Sequence, residues 1–259
     1  MATRFTRAIL RRPGRSYAQG ITTSTEGAPD FDLALAQHDA YARALESLGL
    51  SLTILPADEH YPDGVFVEDA AIISGGQAVI TRPGAAARRG EIDAVAGALD
   101  GVVPVSGWIN DPGELDGGDV CESDIGVLIG VTARTNAAGA GQLADFLRDV
   151  DQDAEIVDIR TVQGLLHLKT GISYLGDGRL AVAEGLPNLS AFQRFEKVVV
   201  PAAEAYAANC VRVNDKVLIA KGYPRFAETL DRLGYSLVEL DMSEFRKMDG
   251  GLSCLSLRF

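Results

Sequence analysis

Cysteine is scarce in this chain: Cys121, Cys210 and Cys254 are all there are in 259 residues. They form no Cys-x-x-Cys pair, and any pairing leaves one thiol over. That excludes a disulfide framework and predicts a reducing, cytoplasmic setting. Histidine is equally rare, at three residues, with no His-Glu-x-x-His string and no paired spacing. A catalytic metal site would have little to draw on. No stretch reaches the ~18 uncharged apolar residues a membrane helix requires, and the run Ala8-Ile9-Leu10 is too short for a signal peptide. Positive charge is in deficit, with 24 Lys and Arg against 36 Asp and Glu and a net charge of -12. Such a surface repels nucleic acid and anionic lipid and favours a small cationic substrate. Neither nucleic acid nor membrane is expected as a partner.

What is present is an ordinary globular composition, 47% hydrophobic and 23% charged. A chain this long buries about 70–75% of its unfolded surface, so it needs neither disulfides nor a structural metal. Length alone leaves one large domain or two small ones. Strand and helix signals recur without linker or low-complexity tract. Arg7–Arg11 reads as a strand, and a Gly/Thr/Ser-rich loop follows. Phe31, Leu35, His38, Ala42 and Leu45 fall on one helical stripe that Asp30 can cap and Gly49 can end. Ser51–Leu55 is the next strand. A second unit has a strand at Gln77–Thr81, a helix over 85–99 and a strand at Val102–Val105. A third runs from Val120 through a helix over 136–150 to Glu155–Asp158. A fourth spans Tyr174 to Val200, and a fifth spans Cys210 to Glu239.

Five strand–strand–helix–strand units in 259 residues average about 52 each, a spacing typical of repeat architectures. The units share pattern, not residue identity. A doubly wound sheet would show long apolar strands alternating singly with helices. Paired short strands fit a closed ring of small modules better, as one domain over residues 1–259 whose centre gathers loops from every unit.

Several residues could carry chemistry. His38 sits on the helical stripe, where a hydrogen-bonded packing role is expected. His60 lies in a turn-rich, solvated segment, and His167 is flanked by leucines in a short strand-like segment, Gly-Leu-Leu-His-Leu-Lys-Thr, either a core histidine or an acid–base group. Cys254 follows Gly250 and Gly251, which allow close approach of a ligand, so its thiol is either a nucleophile or an inert buried group. Cys210 is assigned to the core and Cys121 to structure. Glu68 and Asp69 adjoin in an apolar, strand-like segment, so one must point to each face, and a buried carboxylate needs a cation. Asp116 and Asp119 flank a glycine pair that bends the chain. Arg88 and Arg134 lie near helix starts, and an arginine fork matches a carboxylate at two points.

Seven strings, in order, carry a resemblance: DGVFVED, TRPGAAARRGE, LDGGDV, ARTNAAG, LHLKT, AANC and DGGLSC, spread from Asp63 to Cys254. Together they resemble the dimethylarginine dimethylaminohydrolases of the guanidine-modifying superfamily. The resemblance implies a five-bladed α/β-propeller, the pentein fold, built of pseudo-fivefold ββαβ modules. It implies Cys254 as nucleophile, His167 as general acid/base and Asp116 as its support. Glu68 and Asp69 would grip the substrate guanidinium, Asp63 its α-amino group, and Arg88 and Arg134 its α-carboxylate. Ile21 in the lid, Met248 and Phe66 would line the pocket.

The implied activity is cysteine-dependent hydrolysis of a C–N bond in methylated arginines, giving citrulline and methylamines, without metal or organic cofactor. The partner is a small cationic amino acid. Oligomeric state stays open, a homodimer among the alternatives. Arginine deiminase, amidinotransferase or another guanidine or ureido hydrolase would use the same apparatus. A metal hydrolase or a non-catalytic amino-acid-binding protein are the rivals outside the superfamily.

Overall fold

The structure, a computed structural model, describes residues 4–186 and 189–259. Five three-stranded sheets follow one another along the chain. The first contains β1 (Arg7–Arg11) and β2 (Ser51–Leu55), joined across α1 (Phe31–Ser47). The second has β3 (Ala71–Ser74), β4 (Gln77–Ile80), α2 (Ile92–Leu99) and β5 (Val105–Trp108). In the third are β6 (Val120–Ser123), β7 (Gly126–Val131), α3 (Ala137–Asp149) and β8 (Ala154–Asp158). After the one-turn helix α4 (Leu168–Gly171), the fourth holds β9 (Ile172–Gly176), β10 (Arg179–Ala183) and β11 (Glu196–Val200). The fifth has β12 (Val211–Val213), β13 (Lys216–Ala220), α5 (Pro224–Arg232) and β14 (Ser236–Leu240). A short α6 (Ser243–Arg246) and β15 (Leu257–Arg258) complete the chain.

Each complete module repeats one pattern: an antiparallel hairpin, then a crossover to a parallel outer strand, as in β6–β7–β8. Parallel strands need such a crossover, whereas antiparallel ones need only a tight turn. The β3–β4 turn is Gly75-Gly76, both at positive φ, which suits the right-handed twist of a hairpin. Ring closure comes from the far end of the sequence. Strand β15 pairs antiparallel with β1 and supplies the first module's missing inner strand. Asn214, left-handed at the β12–β13 turn, adds a second tie: it accepts from Phe5 N at 2.9 Å and donates to the Phe5 and Leu48 carbonyls at 3.1 Å.

Apolar side chains divide into five clusters rather than one core. The middle strands β7, β10 and β13 are almost wholly buried, as expected for strands covered on both faces. Each fully buried Leu or Ile contributes ~1.5–3 kcal/mol. The expected α1 stripe is rotated slightly: Ala34, His38, Tyr41 and Leu45 are buried to the last percent, while Phe31 and Leu35 are half-buried. Asp30 caps the helix, accepting from Leu33 N at 2.8 Å, and Gly49 follows it with φ +89°.

Several expectations need correction. Val67–Ala70 is a 3-10 turn, not a strand, so Glu68 and Asp69 are both buried rather than split between two faces. The helix expected over 85–99 breaks into a 3-10 turn at Ala86–Glu91 and α2. The strand expected at Val102–Val105 lies three residues later, because Gly101 and its neighbours turn the chain first. His167 is not in a strand but stands at the N-cap of α4. His38 packs inside the α1 stripe, where burial pushes it down to about 4 against the smaller opposing effects of Asp39 and the Arg11 backbone.

Candidate active site

Loops from several modules meet around a cavity of about 650 Å³ whose wall includes Cys254, His167, Tyr206, Asn209 and the segment Thr23–Glu26. Cys254 lies in a 3-10 turn, Ser253–Leu255, one residue beyond the glycine pair. A Cβ at Gly250 would run into the Phe66 ring, and one at Gly251 would run into the Asn209 amide. The glycines therefore let the nucleophile turn seat against these neighbours. The thiol is half-buried and unpaired. Burial, with the carboxylates of Glu68 and Asp69, pushes it up to about 12, against smaller opposing effects of the Gly251 backbone and Lys169. This direction favours the neutral thiol before a cation arrives.

His167 approaches from the fourth module. Its Nε2 meets Asp116 Oδ2 at 3.1 Å, a contact in which Asp116 is fully buried. Asp116 is held in turn by Gly84 N at 2.9 Å and by the Thr135 hydroxyl at its own amide. Gly118 leaves room for the ring, since a Cβ there would strike it. Burial alone would push the imidazole down, but Asp69, Asp119 and Asp116 overcome it and hold it up at about 9. The ring is an imidazolium at neutral pH, with a proton to give.

The acidic pair behaves unequally. Glu68 is enclosed by Lys169 Nζ at 2.7 Å, Arg258 Nη2 at 3.2 Å and the Ser253 hydroxyl at 2.7 Å. Asp69 takes Arg88 Nη1 at 2.7 Å and Gly118 N at 2.8 Å. Burial acts against its charge, but His167 and Arg88 hold it down at about 2. Asp69, Asp116 and His167 offer atoms within 4.8 Å of one another, a grouping with metal-ligand chemistry. Yet each carboxylate already accepts from protein N–H groups, and His167 Nε2 is taken up by Asp116. This donor set suits a proton better than a metal ion.

Asp63 is buried and raised, chiefly by that burial, while Ile21 N, Arg88 and Arg134 act against the shift. Ile21 donates its amide to both Asp63 oxygens, at 3.2 and 3.0 Å, and exposes its side chain. Met248 and Phe66 are buried; Phe66 packs edge-on to Tyr17. Arg134 is half-buried, and its charge reaches Asp63. Arg88 differs from the expectation of a substrate-facing fork. It is buried and bonded to Asp69, to Glu91 at 2.8 Å and to the Asp63 and Phe66 carbonyls. A buried guanidinium collects every acceptor within reach, because an unpaired one is expensive.

The loop over the cavity is latched. Asp249, itself left-handed, accepts from Thr23 N at 2.6 Å and from the Thr22 hydroxyl at 3.2 Å. Glu26 pairs with Arg246 at 2.7 Å. Sequence reasoning missed Lys169, Asn209, Ser253 and Arg258. The first three lay within the quoted strings LHLKT, AANC and DGGLSC, but nothing in their spacing disclosed the ring of contacts around Glu68. Asp119 was noticed only as a turn residue. It is fully buried, accepts from Leu168 N at 2.8 Å and from Thr132, and is pushed up by burial to about 6.

No family model matches the chain. The N(G),N(G)-dimethylarginine dimethylaminohydrolase of Pseudomonas aeruginosa is 43% identical over 256 residues, covering 98% of this chain and 100% of that protein. A cysteine-to-serine variant of the Pseudomonas aeruginosa enzyme, solved in complex with citrulline, superposes with a TM-score of 0.95 at 42% identity, covering 99% and 100% of the two chains. A histidine-to-glycine variant of a dimethylarginine dimethylaminohydrolase, solved as an adduct with S-methyl-L-thiocitrulline, gives 0.94 at 42% identity, covering 98% and 100%. Such likeness over full length carries the fold: the five sheets are the five modules of a pentein α/β-propeller.

Proposed function

The chain belongs to the dimethylarginine dimethylaminohydrolase family, and from that premise we propose that it hydrolyses N-omega-methylated arginines to citrulline and methylamines, with Cys254 as nucleophile. The observation that carries the reading is that Cys254 and His167 line the same cavity, with the carboxylates of Asp69, Asp119 and Asp116 around the imidazole raising its pKa.

A substrate guanidinium is planar, charged and a poor electrophile. Its positive charge, set among these carboxylates, offsets the cost of ionising the thiol, and the displaced proton leaves to solvent. The Cys254 thiolate adds to the guanidinium carbon, giving a neutral tetrahedral adduct. His167 then donates its proton to the dimethylamino nitrogen, the C–N bond breaks, and dimethylamine departs. An S-linked thiouronium remains on Cys254. Neutral His167 takes a proton from water as that water attacks the same carbon. Cleavage of the C–S bond releases citrulline, and the thiol is regenerated. The sequence needs neither metal nor organic cofactor.

Asp116 supports His167 throughout. Asp69 is the acid we assign to the guanidinium; Glu68 joins it only by relaxing its bonds to Lys169 and Arg258. Asp63 with Ile21 serves the α-amino end, and Arg134 the α-carboxylate. Arg88 reaches that carboxylate only by loosening its hold on Glu91 or Asp69. Phe66 and Met248 back the wall.

We place the whole chain in one catalytic unit. No helix among the described residues is long and apolar enough to cross a membrane. The unpaired state of Cys121, Cys210 and Cys254 supports a cytoplasmic location. A homodimer is the assembly that sedimentation would test.

Incubation with arginine, monomethylarginine, dimethylarginine and citrulline separately tests the substrate. Dimethylamine and methylamine, each matched by citrulline, are expected. Ammonia released from arginine alone would transfer the site to the deiminase reading.

A further inference from the structure

Building on that reading, we propose that Asn209 is a positioning residue that fixes the nucleophile turn relative to the acid–base turn. Asn209 ends the loop before β12 and is buried. Its Nδ2 donates to the Lys169 carbonyl at 2.9 Å and to the Ser253 hydroxyl at 3.0 Å. Its Oδ1 accepts from Ser253 N at 3.0 Å. Lys169 lies two residues beyond His167, and Ser253 immediately precedes Cys254. One amide group thus spans the two turns whose separation sets where the proton donor stands relative to the sulfur.

The amide orientation is forced by its neighbours. A backbone carbonyl can only accept and a backbone N–H can only donate, so Nδ2 must face Lys169 and Oδ1 must face Ser253. The Ser253 hydroxyl gives its own proton to Glu68 Oε2 at 2.7 Å, so it too requires a donor from Asn209. Glu68 meets Lys169 Nζ at 2.7 Å, which closes a ring of contacts through Lys169, Asn209, Ser253 and Glu68. Asn209 borders the cavity, and Gly251 of the nucleophile turn packs on its amide with no room for a Cβ. No other residue with both a donor and an acceptor is as short and planar, and a carboxylate of the same shape supplies neither N–H.

Asn209→Asp isolates that donor function. It keeps the volume and the acceptor for Ser253 N, but turns an oxygen toward the Lys169 carbonyl and the Ser253 oxygen. Asn209→Ser, smaller and uncharged, removes the span without adding charge. The parent protein and both variants are assayed as full chains for kcat and KM with dimethylarginine, alongside thermal midpoints. Displacement of a catalytic pair by about an ångström costs roughly 100-fold in rate. A fall in kcat of about that size is expected in both variants, with KM within about threefold, lowered midpoints, and most of the protein still folded at the assay temperature.

A kcat within about threefold of the parent would overturn the proposal. So would a fall in kcat matched by an equal loss of folded protein, or failure of both variants to fold, either of which assigns Asn209 to the scaffold alone. A parent that releases no dimethylamine would instead refute the substrate reading, and this proposal with it.

Discussion

The resting state of Cys254 is open to a direct chemical test. Burial and the carboxylates of Glu68 and Asp69 push its thiol up to about 12. At pH 7.5 an ordinary thiol with a pKa of about 8.5 is roughly 9% thiolate, whereas one at about 12 is near 0.003%, a deficit of roughly 3,000-fold. Higher basicity recovers part of that, about 40-fold for a Brønsted slope near 0.45. Alkylation of Cys254 by iodoacetamide should therefore run roughly 100-fold slower than for an exposed cysteine. Its rate should climb about tenfold per pH unit from 6 to 8 without levelling. Cys121 and Cys210, buried and raised to about 11 and about 12, should react more slowly still. Peptide mapping after timed quenching reads each site separately. A plateau below pH 8 at Cys254 would mean a preformed thiolate, and it would refute the argument that the substrate's own charge drives ionisation.

Other outcomes follow from the same geometry. Cys254→Ser and His167→Ala should each abolish turnover, with substrate binding retained when followed by calorimetry. Because the proton donor titrates at about 9, kcat should fall above that pH, and loss of this limb in a parent pH profile would contradict the role of His167. The same shift bears on stability. The folded value lies above the ordinary 6.5, so the contribution is fully present below 6.5 and is lost as pH rises toward 9, about 3 kcal/mol in all. Urea unfolding of the protein and of His167→Gln at pH 6 and pH 9.5 measures it, and equal pH dependence in both would refute it. Arg134→Ala should raise KM for dimethylarginine several-fold with little change in kcat. Asp249→Ala frees the bonds from Thr22 and Thr23 and should likewise act mainly on KM, read from the same steady-state curves.

Much of the architecture was legible because each module repeats its own local rules. Paired short strands and capped helices announce themselves wherever hydrophobic period and turn residues agree. The pairing that closes the ring did not, since the partner of β15 is β1, at the other end of the chain. Glu68 and Asp69 misled for a related reason. Val-Phe-Val-Glu-Asp has strand composition, but the turn it makes is set by tertiary partners, Arg88 and Gly118 for one acid and Lys169 and Arg258 for the other. Cys254, His167 and Asp116 were reached through ordered motifs. Asn209 and Ser253 were not, because a positioning role depends on which backbone carbonyl lies 3 Å away, and no spacing within a single segment encodes that.

The covalent step at Cys254 is tested most directly by acid-quenching a reaction with dimethylarginine in its first turnovers and weighing the intact protein and its peptides. The account requires a transient mass increase confined to the peptide bearing Cys254, rising before steady state and vanishing as citrulline accumulates. An adduct on Cys121 or Cys210, or full turnover by Cys254→Ser, would contradict it.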